Sequence, residues 1–125
     1  NASGVSGDLI VVFEEEDHSY FVRDGENLIL ELHISFPLAV LGGKIDIPTL
    51  HGKVGLKIPK GIQSGQILRL KGKGFPRIRS NHYGDQLVKV QINTPKKITR
   101  STKRLIDDLK DNLYPIDNPF RKIEL

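Results

Sequence analysis

Apolar and polar residues alternate along most of this chain, and Gly or Pro breaks the alternation at short intervals. Leu28, Leu30, Leu32 and Ile34 alternate without a miss, which predicts one buried strand face with Ile29, Glu31 and His33 opposite. Phe21–Arg23 and Asn27–Ile34 flank Asp24-Gly25, a strong hairpin signal. Shorter apolar-alternating runs follow at Lys44–Ile47, Val54–Ile58 and Ile67–Leu70. They are cut by Pro48, Gly52, Pro59-Lys60-Gly61, Gly65 and Gly72-Lys73-Gly74, residues that supply turn dihedrals. Gly84-Asp85 leads into Leu87–Ile92, with Val88, Val90 and Ile92 on one face, and Thr94-Pro95 ends that strand. Leu9–Phe13, rich in β-branched residues, predicts a further buried strand.

Two stretches read as helix. Pro37–Leu41 is a short helical turn stopped by Gly42-Gly43, and its length requires support from packing. Thr99 is the N-cap of a longer helix running to about Leu113 and stopped by Pro115. Leu105, Ile106, Leu109 and Leu113 form its apolar stripe. The tail Ile116–Leu125 adds Phe120 and Ile123. The expected fold is mostly β: two small antiparallel sheets, a short helix and a C-terminal helix.

With 125 residues the chain suffices for one domain with a modest core. The absence of Cys excludes disulfides and thiolate zinc sites and fits a reducing compartment, so a cytoplasmic location is expected. No apolar run approaches a membrane span. Asn1-Ala2 without an initiator Met reads as a tag remnant, so fold reasoning starts near Gly7.

The net charge of +4 hides an asymmetry. Gly7–Glu31 holds eight acidic residues against Arg23, and Lys44–Arg79 holds nine basic residues against Asp46. Two oppositely charged surfaces are expected. Lys57, Lys60, Arg69, Lys71 and Lys73 lie on strands and turns of the central meander, so several of them are expected to share a face, and the partner expected for this patch is an acidic peptide segment. A basic nucleic-acid-binding β-module is the alternative, but only Phe75 and Tyr83 lie near enough for base stacking.

Enzymatic chemistry finds little footing. His18, His33, His51 and His82 lack metal-ligand spacing, and no Ser stands in a nucleophile elbow. Glu14–Asp17 lacks the glycine-punctuated spacing of a calcium loop and reads as a solvated strand end. Gly72-Lys73-Gly74 lacks the Walker pattern and reads as a hairpin turn. No metal and no cofactor is expected.

The stretch from Leu41 reads LGG-x-I-x-I-PTL-x-GKV-x-LKIP-x-G-x-Q-x-G-x-x-LRL-x-GKG. It resembles the second C-terminal domain of the DnaJ co-chaperones, and the resemblance runs from about Gly7 to Asn112. Gly7-Asp8-Leu9-Ile10 echoes Gly84-Asp85-Gln86-Leu87-Val88 at a spacing of 77 residues, as tandem related β-domains would. The organisation expected is residues 1–17 as lead-in and last strand of a preceding domain, 18–98 as the β-rich domain, and 99–125 as a dimerising helix and tail.

The resemblance implies a protein that binds non-native polypeptides and passes them to the DnaK chaperone, working as a homodimer. Zinc would belong only to an upstream Cys-rich module. The His-Pro-Asp tripeptide through which the family stimulates DnaK does not occur in this sequence. The tandem similarity implies a lesser client groove here, with Leu30, Leu32 and Ile47 as its candidates. On the residues alone the stripe Leu105, Ile106, Leu109 and Leu113 is expected to pack on its own sheet; the resemblance implies instead a dimer interface of Leu105, Ile106, Leu109, Leu113, Phe120 and Ile123.

Overall fold

The computed structural model describes residues 20–124. The expected strand Leu9–Phe13 and the run Glu14–Asp17 lie outside them. The described residues divide into two compact units, with the boundary between Thr94 and Pro95.

The first unit carries six strands and one short helix: β1 (Phe21–Asp24), β2 (Asn27–Ser35), α1 (Phe36–Leu41), β3 (Gly43–Thr49), β4 (Gly52–Ile58), β5 (Ile67–Leu70) and β6 (Gln86–Asn93). They form a four-stranded sheet ordered β1-β2-β6-β5 and a two-stranded sheet of β3 and β4. One pairing departs from the all-antiparallel expectation. β2 and β6 run parallel, with Leu30 opposite Val88 and Leu32 opposite Val90. Parallel neighbours need a long crossover, and residues 36–85, carrying α1, the β3–β4 pair and β5, supply it.

The core collects the inward faces of both sheets. Leu30, Ile34, Val88 and Val90 pack in one cluster with Ile47, Leu56 and Ile58 from the β3–β4 pair, Ala39 from α1, and Ile62. Leu28 is buried as well, so the alternation of β2 points where its sequence pattern says. Gln86 lies in this apolar setting fully buried, and its side-chain amide donates to the Pro48 carbonyl at 2.9 Å, linking the two sheets. Its Oε1 has no hydrogen-bond partner.

α1 survives at six residues because its ends are held. Ser35 caps its start, Gly42 N–H donates to Leu38 at its end, and Gly61 N–H donates to Ala39 at 2.8 Å. Gly42 has φ 73°, and a Cβ there would sit 2.8 Å from the Ile58 carbonyl, so only glycine fits this stop.

This core corrects one expectation. Leu30 and Ile47, offered above as groove residues, are 6% and 1% exposed and belong to the interior. Leu32 is half-buried and packs against the same cluster. They read as groove candidates because strand alternation shows which residues share a face, not which face is covered. Leu30→Ser and Ile47→Ser are therefore expected to unfold the domain. Truncating such a side chain costs about 2–5 kcal/mol and burying a hydroxyl adds to it, against a typical stability of roughly 5–15 kcal/mol. Urea denaturation reads this directly, and a midpoint that stays put would remove the residue from the core.

Candidate functional site

Asp85, at the entry to β6, gathers the segments around it. Its backbone N–H donates to Asn27 Oδ1 at 2.9 Å, and its carbonyl accepts from Leu28 N–H at 2.9 Å. Its carboxylate accepts from Gly72 N–H at 2.9 Å and from Arg69 Nη1 at 2.5 Å. The Gly72 N–H and then Arg69, with Arg77 acting over a longer range, hold this carboxyl below the ordinary carboxylate range; partial burial works the other way.

Residues 71–85 close as a narrow hairpin. Gly74 N–H donates to Gly84, Gly84 N–H to Phe75 and Arg77 N–H to His82, while Phe75 N–H donates to the Glu26 carbonyl at 2.8 Å. A Cβ on Gly74 would lie 2.6 Å from that same Glu26 oxygen, so the turn between β1 and β2 fits against the hairpin only where side chains are missing. The Arg23 guanidinium covers the Phe75 ring at 4.2 Å, and Arg77 Nε lies 3.4 Å from Glu26 Oε1. The tip carries Ile78, 89% exposed, and Arg79 at φ 60°. Beneath it lies an open cavity of about 440 Å³ lined by Lys71, Gly72, Arg77, Asn81, His82, Tyr83 and Asp85.

The expected basic strip does not share one face. Lys57 lies opposite Lys44 on the outer side of the β3–β4 pair, and Lys60 sits in the following turn. Arg69 is on β5 and bound to Asp85, while Lys71 and Lys73 belong to the hairpin. The expectation rested on nearness in sequence, and the strands divide these cations between two sheets.

The outer face of the four-stranded sheet holds an apolar row that the sequence reading missed. Register places Val22 opposite Ile29 and Ile29 opposite Leu87. Arg69 stands opposite Leu87 at the end of this row, and Ile67, opposite Lys89 in the neighbouring row, adds a fourth apolar side chain. Val22 and Ile67 are exposed, and Ile29 and Leu87 are half-buried. The signal was the second apolar set in each strand, masked by interleaved charges. His33 on this face sits 2.7 Å from both Asn93 Oδ1 and Glu31 Oε2. Asn93 first, and then Glu31, raise its pKa above the ordinary histidine value. Their contribution to stability is full below that ordinary value of about 6.5 and is lost as pH rises through the raised one.

A family model described as the DnaJ C terminal domain matches residues 1–95. The chain belongs to the DnaJ C-terminal domain family. It is 47% identical to the chaperone protein DnaJ of Fusobacterium nucleatum over 110 residues, which is 88% of this chain and 28% of that protein. It is 50% identical to the DnaJ of Geobacillus sp. strain WCH70 over 82% of this chain and 27% of the relative. With the DnaJ of Bacillus mycoides the identity is 42% over 97% of this chain and 33% of the relative. The chain thus spans about three-tenths of the length of the DnaJ relatives it matches.

The DnaJ C-terminal domain model ends at the boundary between the two units. The second unit is described by itself. Its helix α2 (Arg100–Asn112) is capped by Thr99, whose Oγ1 accepts from Thr102 N–H at 3.1 Å. Leu105, Ile106, Leu109 and Leu113 are all exposed, and so are Phe120 at 80% and Ile123 at 76%. Among the described residues of this DnaJ domain, no group of His, Asp and Glu could hold a metal ion, and no helix is long and apolar enough to cross a membrane.

The Asp85 clamp predicts a pH dependence with a definite sign. A depressed folded-state pKa stabilises above the unfolded value and is lost as pH falls through the folded one. Asp85→Asn should lower the thermal midpoint at neutral pH. The gap from the parent chain should close below about pH 4, the ordinary aspartate value. Thermal scans across pH 2–7 check this, and a gap that does not vary with pH would show that the carboxylate charge is not what holds the hairpin.

Proposed function

We propose that this chain is the client-holding and dimerising region of a DnaJ-type co-chaperone, and that the full-length protein passes the held polypeptide to DnaK. The function is binding, with no catalytic step. The observation that carries the client reading is the apolar set Val22, Ile29, Leu87 and Ile67 on the outer sheet face of a DnaJ-family domain, where Val22 and Ile67 are exposed among the described residues. A non-native chain exposes the apolar side chains that such a row can cover, and Glu31, Lys89 and His33 keep the face soluble when it is empty. This row takes the place of Leu30 and Ile47 as the client surface.

The dimer reading rests on the second unit. Six large apolar residues, Leu105, Ile106, Leu109, Leu113, Phe120 and Ile123, are exposed. Burying a Phe or Leu side chain yields roughly 1.5–3 kcal/mol. An isologous contact uses each residue twice, which is enough to offset an association entropy of roughly 4–15 kcal/mol.

Capture of a denatured client, followed by suppression of its aggregation and paired with sedimentation, tests both parts. Val22→Ser with Ile67→Ser should keep the fold and weaken suppression several-fold, because both side chains are already solvent-exposed. Phe120→Asp should sediment as a monomer at micromolar concentration with its β-domain intact, and should hold clients less well through lost avidity. Unchanged suppression by the folded double variant would remove the row from the client site. A Phe120→Asp chain that stays dimeric would remove the tail from the interface.

A further inference from the structure

We propose that the cavity under the 71–85 hairpin is a receptor for a carboxylate side chain carried by an acidic segment of a partner polypeptide. This site is separate from the client-holding face. Its lining is a set of donors: the Lys71 ammonium, the Arg77 guanidinium, the Asn81 amide, the His82 imidazole and the Tyr83 hydroxyl. The single carboxylate in the wall does not oppose an anion, because Arg69 and Gly72 N–H already occupy its two oxygens. The Tyr83 ring is steadied edge-on by His51, with centroids 6.3 Å apart and planes at 85°. A volume of about 440 Å³ falls within the roughly 300–1,000 Å³ of small-ligand pockets, ample for one acidic side chain and its backbone.

Charge balance decides the class of ligand. Arg69 is paired with Asp85 and Arg77 with Glu26, so the net unpaired charge in the lining is that of Lys71. A carboxylate matches one positive charge. A nucleic-acid backbone presents a row of phosphates and needs a row of unpaired cations to neutralise it, and two of the arginines here are already committed. Ile78 stands exposed at the hairpin tip between Arg77 and Arg79. It offers an apolar contact next to the charged cavity, so the matching segment places an apolar residue beside its acidic one.

The test uses a short fluorescent peptide with one Glu followed by Leu, its Gln counterpart and a labelled DNA duplex. All are titrated against the full chain at physiological salt. The acidic peptide is expected to bind most tightly. Lys71→Glu should weaken it by about tenfold or more, the scale of one charge-assisted contact. Lys53→Glu, the same charge change on the outer side of β4, should alter it less than about twofold, as a rim charge remote from the site does. Lys71→Gln, compared with the parent by its amide NMR spectrum, repeats the test with the fold verified. Equal weakening by Lys53→Glu, equal binding of the Gln peptide, or tighter binding of the duplex would each overturn the proposal. Val22→Ser with Ile67→Ser leaves this binding intact, so its failure and that of the client reading are distinguishable.

Discussion

The clamp at Asp85 is the constraint on which the rest of the domain depends. One residue joins β2 through its backbone, β5 through Arg69, and the hairpin through Gly72. Without it, the fifteen residues 71–85 would be a long basic loop whose cations repel each other. With it, the loop becomes a narrow hairpin set against the β1–β2 turn, with the open cavity beneath it. The two glycines at 74 and 84 are the steric counterpart of the clamp, since each gives room to the Glu26 carbonyl.

The same junction starts the parallel pairing of β2 and β6. Leu28 N–H reaches the Asp85 carbonyl, and from there the register runs unbroken from Leu28 and Gln86 to Ser35 and Asn93. That register sends Leu28, Leu30, Ile34, Val88 and Val90 inward, where the β3–β4 pair and α1 cover them. It sends Ile29, Leu87 and their neighbours Val22 and Ile67 outward. A sheet covered on one face has an inside that makes stability and an outside open to partners. The division between core and candidate client surface is thus a single choice of parity.

Much of this was legible in the residues. The alternation at Leu28–Ile34, the Asp24-Gly25 hairpin, the Gly42 stop and the Thr99 cap each act through local chemistry, so the sequence carries them. The parallel pairing was not legible, because it is made by residues 58 apart, as in Leu28 with Gln86, and no local pattern encodes a crossover. The placement of Leu30 and Ile47 failed for a related reason: both are apolar and periodic, and burial depends on a second sheet. Arg69 counted as a free cation until the fold brought Asp85 within reach of it. Family membership was legible in the spaced motif from Leu41 to Gly74, since so many fixed positions in order are hard to meet otherwise.

The central claim is that the outward parity of the four-stranded sheet, and not its inward parity, meets non-native polypeptides. Methyl NMR of the chain during titration with a permanently unfolded polypeptide tests it most directly. The account predicts that the methyl signals of Val22, Ile29, Ile67 and Leu87 shift together with one saturation curve, while those of Leu30 and Ile47 stay in place. Shifts confined to other surfaces, with these four signals unmoved at saturation, would contradict it.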